Sequence, residues 1–385
     1  MKEFTGYMHG MGIGGWLTNF KRLPVLPEGY KMKLSTGDFE HFEKYITHED
    51  VKYIASLGMD HIRLAFDQYV LEEYDNPCAY RDECFGHIER FLKWCDAEGV
   101  NVILNLHKAI GCICDFNDSR SLMTEPELRE RFVCLWCEIE NRFHEHPAVF
   151  ELMNEVTGSD NENWNTLAAE TISALRKLNP TRIIMVGSSQ WNSCSQLKNL
   201  RLYDDENVVY TFHNDAPHQF THQRGLLQGM QHYYNRDMPY PGDIGHYIDY
   251  CHSCGGDPNH FARYPEMGRQ YLWDVLKPAA DFIAANVHPG AGELRCHRVN
   301  NRVEESIGLG LAGVEGIAEE ALNAVVAINV LRLSQLWYSR ERCMGMTGDI
   351  DFRQDLDRPI GGVLFDLLDR GGGIGAAIRT RSAPQ

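Results

Sequence analysis

Short apolar runs alternate with longer amphipathic stretches through most of the chain. Residues 60–66 form one apolar run that is broken by a charge, and residues 100–106 form a continuous one. Between them, apolar side chains recur at helical spacing from Phe85 to Cys95, and Gly99 follows the last of them. The pattern predicts an amphipathic helix that ends at Gly99 and leads directly into a buried parallel strand.

The same unit recurs along the sequence. Helical spacing of apolar residues predicts further helices at 128–143, 164–178 and 269–285. Short apolar runs predict further strands at 149–153, 182–186 and 207–212. The region of residues 11–13 is the expected first strand, and a seventh is expected to end near residue 293. Sequential βα units without a change of composition predict the α/β class and one (β/α)8 TIM barrel.

The barrel prediction fixes the expected domain organisation. We expect one catalytic barrel over residues 1–345, with a long loop at about 214–265, and an uncertain, partly disordered tail over 346–385. The expected barrel allows for a C-terminal part that is irregular or incompletely closed. A doubly wound sheet is the rival fold, but the glycines around residues 12–15 are followed by Trp16 where a pyrophosphate-binding helix would begin. The barrel is therefore favoured, and no cofactor is expected.

Composition and charge exclude several kinds of partner. The 385 residues are 43% hydrophobic and carry a net charge of −17, so the chain can form a large core but would be repelled by phosphate backbones and anionic lipids. We therefore expect neither a nucleic acid nor a membrane as partner. The 12 cysteines are scattered, which favours reduced thiols and a cytoplasmic location. Cys251 and Cys254 are interpreted as a loop thiol pair, and no metal site is predicted.

Polar side chains lie where the predicted strands end. The candidates, in strand order, are Arg63, His107, Asn154, Glu155, His213 and Glu293. The carboxyl ends of barrel strands meet at one face, where barrel enzymes place their active sites. Each residue alone is compatible with a structural role, but together they predict a functional site.

Two of these residues suit the cleavage of a glycosidic bond. Such cleavage requires one carboxyl group that donates a proton and one carboxylate that attacks the sugar or positions water, and Glu155 and Glu293 are the candidates. Asn154 is expected to hydrogen-bond the hydroxyl next to the reacting carbon, and Arg63 to orient the ionised nucleophile. His107 and His213 are expected to bind hydroxyls or relay hydrogen bonds.

Aromatic side chains add candidate sugar-binding surfaces. Trp16 and Trp191 are candidates for stacking on sugar rings, although core packing is the more common role for any single aromatic side chain.

At this point the sequence resembles glycoside hydrolase family 5, the cellulase-type retaining β-glycanases. The resemblance covers roughly residues 10–225, and the segments that carry it are Gly14-Gly15-Trp16-Leu17-Thr18, His61-Ile62-Arg63-Leu64, Leu104-Asn105-Leu106-His107, Phe150-Glu151-Leu152-Met153-Asn154-Glu155, Tyr210-Thr211-Phe212-His213 and Phe220-Thr221-His222-Gln223.

The resemblance implies hydrolysis by double displacement with retention, without cofactor or metal. It makes Glu155 the acid/base and Glu293 the nucleophile, and it aligns the family's strand-eight tryptophan with Trp337. The implied substrates are β-linked glucans, with mannans as the alternative within the family. Arg63, His107, Asn154 and His213 would support the site.

Two positions depart from the family pattern. Asp215 stands where a tyrosine usually follows the strand-six histidine, and Leu294-Arg295-Cys296-His297 replaces the usual Phe-Gly after the nucleophile. Codons for residues 294–298, read one nucleotide later, permit Phe-Gly-Val-Ile-Glu. We therefore hypothesise that the reading frame is non-native from about Leu294. Resequencing the gene across this junction tests the hypothesis. A sequence with no inserted or deleted nucleotide there would refute it.

Two other functions remain open on the sequence alone. One is a carbohydrate-binding barrel without hydrolytic activity, impaired in its C-terminal nucleophile region. The other is an oxidoreductase or isomerase barrel that uses Glu155 as a base, although no phosphate-binding signature follows the late strands. Release of reducing ends from cello- or manno-oligosaccharides separates the hydrolase from both.

Overall fold

The computed structural model describes residues 6–7, 9–18, 34–113, 121–158, 160–221 and 238–286. Within these ranges the centre of the fold is a six-stranded sheet, in which every neighbouring pair of strands is parallel and the strands lie in sequence order. The strands are β1 (Gly10–Leu17), β2 (His61–Asp67), β3 (Asn101–Lys108), β4 (Val149–Glu151), β5 (Ile184–Gly187) and β6 (Val208–Thr211). Sequential parallel order is the order of a (β/α)8 barrel and differs from that of a doubly wound sheet.

Helices connect the strands and cover one face of the sheet. They are α1 (Thr36–Lys44), α2 (His48–Ser56), α3 (Gln68–Leu71), α4 (Asp82–Glu98), α5 (Ser121–Thr124), α6 (Pro126–Phe143), α7 (Asn161–Leu178), α8 (Ser189–Asn192), α9 (His218–Thr221), α10 (Gly245–Cys254), α11 (Pro258–Ala262) and α12 (Arg269–Asn286), with a 3₁₀ helix at Cys194–Asn199. The long predicted helices are therefore confirmed to within three residues at each end.

Local sequence signals explain where the helices begin and end. Asp50 accepts hydrogen bonds from the backbone N–H and the hydroxyl of Thr47, at 2.7 and 2.8 Å, and this capping interaction starts α2. Gly99 adopts a left-handed conformation with φ of 68° at the end of α4, which turns the chain into β3.

The two faces of the sheet have different cores. Leu104 of β3 and Phe150 of β4 belong to the large core between sheet and helices. The residues that precede them, Ile103 and Val149, pack on the opposite face with Met185 and Val209. Because side chains alternate along a strand, this opposite face is the interior of the barrel, and polar residues at alternate positions farther along the strands also point there.

The segment after β6 corrects one prediction. We expected a long loop over residues 214–265, but the described part of this segment contains the short α9 and the helices α10 and α11. Side chains of α10, α11 and the neighbouring connections form a second core with residues of α12. The buried members of this core are Met238, Tyr247, Tyr250, Cys251, Phe261, Tyr264, Met267, Tyr271 and Leu272. Tyr247, Tyr250 and Cys251 stand at helical spacing, a signal that the many glycine, proline and histidine residues obscured.

Several predictions concern residues outside the described ranges. The seventh strand, the closure of the barrel, the altered sequence from Leu294 onward and the expected tail over 346–385 all lie there.

Candidate active site

Glu155 and His213 lie in contact at the carboxyl ends of β4 and β6. Oε1 of Glu155 is 2.8 Å from Nδ1 of His213, and the two side chains are 12% and 13% exposed. Sequence analysis placed both residues at strand ends, and the parallel sheet brings them together although 58 positions separate them along the chain.

The backbone around His213 is tied to the loop after β5. The N–H of His213 donates to the carbonyl oxygen of Asn192 at 2.7 Å, and Ser193 pairs with His213 in an isolated parallel bridge. The pairing of β5 with β6 is thus resumed beyond the end of each strand. This backbone pairing sets the position from which the His213 ring contacts Glu155.

Arg63 of β2 forms the second polar cluster of the site. Its Nε and one terminal nitrogen donate to the two carboxylate oxygens of Glu151, at 2.6 and 2.8 Å, and the same terminal nitrogen donates to Oδ1 of Asn154 at 2.8 Å. The side chain of Glu151 is 3% exposed, whereas that of Arg63 is 25% exposed. The edge of the guanidinium group that carries these two nitrogens is therefore fixed in the interior, while the Arg63 side chain remains partly exposed at the open end of the barrel.

Arg63 has a partner that was not predicted from the sequence. The carboxylate that it binds bidentately is Glu151 of β4, while its expected role in orienting the nucleophile Glu293 stays a prediction, because Glu293 lies outside the described ranges. No role was predicted for Glu151 from the sequence, although it lies in one of the segments that resemble the family. A signal was present, because a carboxylate inside the apolar run of residues 149–153 requires a cationic partner, and Arg63 lies inside another predicted strand.

The backbone of Asn154 is also held from two sides. Its N–H donates to the carbonyl oxygen of Leu106 at 2.9 Å, and Nδ2 of Asn192 donates to its carbonyl oxygen at 3.5 Å. Asn154 is 1% exposed. Asn192 was another residue that sequence analysis missed, since nothing in a single Asn of a loop marks it as a link between the ends of β4, β5 and β6.

His107 lies at the end of β3, on the same face of the strand as Asn105. Nδ1 of His107 is 3.2 Å from Oδ1 of Asn105, and the Asn105 side chain is completely buried. In the register of the sheet, Asn105 pairs with Ala65 of β2 and with Glu151 of β4. His107 is thereby placed beside the strands that carry Arg63 and Glu151, as the strand-end pattern predicted.

The two tryptophans have opposite environments. Trp191 is 45% exposed and lies in the short element α8, in which residues 190–192 have left-handed φ values of 52, 58 and 57° and therefore form a turn and not a regular helix. The backbone N–H of Trp191 donates to the carbonyl oxygen of Val156 at 3.0 Å. Its ring is thus accessible, on the loop that is bonded to the segment following Glu155. This environment is compatible with the expected role in sugar stacking.

Trp16 corrects a prediction. Its side chain is completely buried, its indole N–H donates to the carbonyl oxygen of Phe42 at 2.8 Å, and its ring packs against Phe91 and His87. The ring exposes no surface to a sugar, so Trp16 belongs to the core. The same burial lowers the pKa of His87, because the charged imidazolium would lose its hydration there and also faces Arg90.

Two of the expected site residues cannot be located. Glu293 and Trp337 lie outside the described ranges, so their roles remain predictions from sequence. Within those ranges, no group of three or more His, Cys, Asp or Glu side chains is arranged to hold a metal ion. In the same part of the chain no helix is long and apolar enough to cross a membrane.

Known proteins resemble this chain in both sequence and fold. The family model for cellulase (glycosyl hydrolase family 5) matches residues 25–253. Endoglucanase C of Acetivibrio thermocellus is 35% identical over 286 residues, which cover 72% of this chain and 78% of that protein. Cellodextrinase A of Ruminococcus flavefaciens is 31% identical over 229 residues, which cover 58% of this chain and 62% of that protein.

Solved structures extend the comparison to the fold. The cellulose synthase subunit Z of Clostridioides difficile superposes with a TM-score of 0.51 at 20% identity, covering 73% of this chain and 77% of that one. A hyperthermophilic endo-β-1,4-glucanase superposes with a TM-score of 0.50 at 20% identity, covering 72% and 86%. The predicted (β/α)8 fold and the predicted family are both confirmed. The chain therefore belongs to glycosyl hydrolase family 5 and is an O-glycosyl hydrolase.

Proposed function

We propose that this hydrolase cleaves β-1,4-linked glucan chains and cello-oligosaccharides by double displacement, with Glu155 as acid/base and Glu293 as nucleophile. The observation that carries the proposal is the contact of 2.8 Å between Glu155 and His213 at the open ends of the strands. It provides a largely buried carboxyl group that His213 orients at the open end of the barrel, where a glycosidic bond can meet it.

In the first step, Glu155 gives its proton to the glycosidic oxygen while the carboxylate of Glu293 attacks the anomeric carbon. The bond from this carbon to the leaving oxygen breaks, and a covalent bond to Glu293 forms. The shortened chain leaves with a new hydroxyl group. Glu155 is then a carboxylate, and the Nδ1–H of His213 can donate to its Oε1 atom.

In the second step, Glu155 takes a proton from water as the water oxygen attacks the same carbon from the side opposite Glu293. The bond to Glu293 breaks, and the two inversions give retention of configuration. Both carboxyl groups return to their starting protonation states. A partner that does not itself change protonation allows Glu155 to act as acid in one step and base in the next.

Asn154 and Arg63 support the reacting sugar in this proposal. Since Oδ1 of Asn154 accepts from Arg63, the amide group is oriented to present its Nδ2–H donors elsewhere. We place the hydroxyl next to the anomeric carbon at these donors. Hydrogen bonds to this hydroxyl strengthen in the transition state of glycosidases, which makes the contact useful for rate as well as for binding.

The substrate class rests on two considerations. The sequence relatives named above are called an endoglucanase and a cellodextrinase, which favours β-glucan over mannan. The net charge of −17 does not oppose an uncharged glucan, and the exposed ring of Trp191 offers it a stacking surface.

The test is the release of reducing ends from cellohexaose, with mannohexaose as the matched alternative. Activity on cellohexaose is expected to exceed activity on mannohexaose, and Glu155→Gln and Glu293→Gln are each expected to lower it by a factor of about 10² or more. Azide should restore turnover of Glu293→Ala and give a glycosyl azide of inverted configuration. Wild-type rates in either glutamine variant would remove that residue from the mechanism.

Two other outcomes would change the proposal. A higher rate on mannohexaose would assign the protein to the mannan-active members of the family. Binding of both oligosaccharides without release of reducing ends would indicate a carbohydrate-binding barrel that does not hydrolyse its ligand.

A further inference from the structure

We propose that Glu151 is a positioning residue of the hydrolase, which acts through Arg63 to orient the amide group of Asn154 toward the sugar. The inference rests on the proposed function, because it assigns Glu151 to the same site and the same reaction. It goes beyond that function by naming a residue that touches neither the substrate nor the reacting atoms.

The geometry joins the three side chains into one unit. Two N–H groups of Arg63 donate to the two oxygens of Glu151, at 2.6 and 2.8 Å, in the fork arrangement that fixes a guanidinium group in both distance and plane. The terminal nitrogen that contacts Glu151 also donates to Oδ1 of Asn154 at 2.8 Å. Glu151 therefore fixes the position from which this nitrogen donates to Asn154.

The chemistry of the guanidinium group decides which end of the amide faces it. Arginine has only donors, so the atom of Asn154 that lies against Arg63 has to be the acceptor Oδ1. The Nδ2 donors then point away from Arg63. If Arg63 moved away, the amide could rotate and exchange its oxygen and nitrogen, and a sugar hydroxyl would then meet an acceptor in place of a donor.

Burial shows why Arg63 needs Glu151. The side chain of Arg63 is 25% exposed, so the open end of the barrel offers it an alternative position in water. A long arginine side chain has many rotamers, and a buried carboxylate with bidentate contacts selects one of them. Glu151 is 3% exposed and lies within β4, three residues before Asn154, so it is held by the sheet itself.

The test compares two substrates that differ only in the hydroxyl bound by Asn154. We use an aryl β-cellobioside and its analogue that lacks the hydroxyl next to the anomeric carbon of the reacting sugar. The ratio of their kcat/KM values measures how much this hydroxyl contributes. In Glu151→Gln the ratio is expected to fall by about tenfold, the value of one well-placed hydrogen bond. Asn154→Ala should lower it to the same extent, and the double variant no further.

The chain contains a matched control at the other end of the barrel. Glu140 binds Arg182 bidentately, at 2.6 and 3.1 Å, and the side chains are 1% and 3% exposed. Glu140→Gln removes an equally buried carboxylate from an arginine, so it should lower stability in a similar way while leaving the substrate ratio unchanged.

A second variant covers the case in which Glu151→Gln does not fold. Glu151→Asp keeps the charge but withdraws the carboxylate by one methylene group, and an intermediate ratio is expected for it. An unchanged ratio in either folded variant, with both substrates slowed equally as in Glu140→Gln, would overturn the proposal and leave Glu151 with a structural role. Failure of the proposed function would look different, because the wild type would then hydrolyse neither substrate.

Discussion

Gly187 and Asn192 lie so close together that no larger residue fits at position 187. A Cβ atom added to Gly187 would be 2.6 Å from both Oδ1 and Nδ2 of Asn192. The same Asn192 side chain accepts from the N–H of Ser188 at 2.8 Å, and its backbone carbonyl oxygen holds the N–H of His213. The glycine at the end of β5 thus allows the turn through which Asn192 links the backbone of Asn154 with that of His213.

Gly187→Ala is expected to displace Asn192 and, with it, His213. Overpacking of this kind costs about 1–3 kcal/mol, and the activity should fall because the partner of Glu155 moves. Urea unfolding and kcat on cellohexaose measure the two effects. Gly86→Ala is the control, since Gly86 is exposed within α4 and a Cβ there meets nothing within 4 Å. That variant should gain roughly 0.5–1 kcal/mol of stability and keep its activity. Equal behaviour of the two variants would contradict the steric argument.

Trp191→Ala is expected to weaken binding of long oligosaccharides without loss of stability. The side chain is 45% exposed, so its removal takes little from the core, while a stacking surface worth about 1 kcal/mol would be lost. The expected result is an increase of KM for cellohexaose by roughly fivefold. Trp273→Ala is the matched control, because this residue of α12 is also partly exposed, at 38%. An unchanged KM in Trp191→Ala would exclude the ring from the substrate site.

Acidification is expected to destabilise the protein in part through His87. Burial and the neighbouring Arg90 lower the pKa of His87 in the folded state, and the carboxylate of Glu43 at 3.7 Å only partly opposes this. The unfolded chain then binds a proton near pH 6.5 that the folded chain does not bind, so this contribution to stability is lost as the pH falls below about 6.5.

Urea unfolding at pH 7.5 and pH 5.5 measures whether the free energy of unfolding falls with pH as expected. His87→Gln should lose less free energy of unfolding between the two values than the wild type loses, because glutamine does not titrate. A steeper loss in His87→Gln would show that the folded state favours the charged imidazole.

Glu140→Gln should destabilise the fold strongly, in contrast to a change in a surface ion pair. Arg182 lies between β4 and α6, where it also donates to the carbonyl oxygen of Ala148 at 2.8 Å, and its guanidinium carbon is 4.4 Å from the centre of the Phe150 ring. Removal of the buried carboxylate leaves this charge without its ionic partner, at a cost of about 3–5 kcal/mol. Asp281→Asn breaks the exposed pair with Lys277 on α12 and should cost less than about 0.5 kcal/mol. Thermal unfolding compares the two variants.

The hydrophobic pattern predicted most of the elements because their signals are local. Thr47 and Asp50 start α2, and Gly99 ends α4, through interactions with residues a few positions away. The strand-end position of Glu155 and His213 could be predicted for a similar reason, since a parallel sheet collects its carboxyl ends at one edge. The helices after β6 were missed because the many glycine, proline and histidine residues of this segment obscured the helical spacing of Tyr247, Tyr250 and Cys251.

What the sequence determined by itself is the order of βα units, the family and the residue types at the strand ends. The tertiary structure alone decided which of those side chains are paired. Arg63 meets Glu151 across 88 residues, and Trp16 meets the carbonyl oxygen of Phe42 in the core. Such contacts depend on strand register and on the docking of helices, and a shift of one residue would send the same side chains to the opposite face. Local periodicity carries no information about that choice, so a side chain's partner becomes visible only when the sheet is assembled.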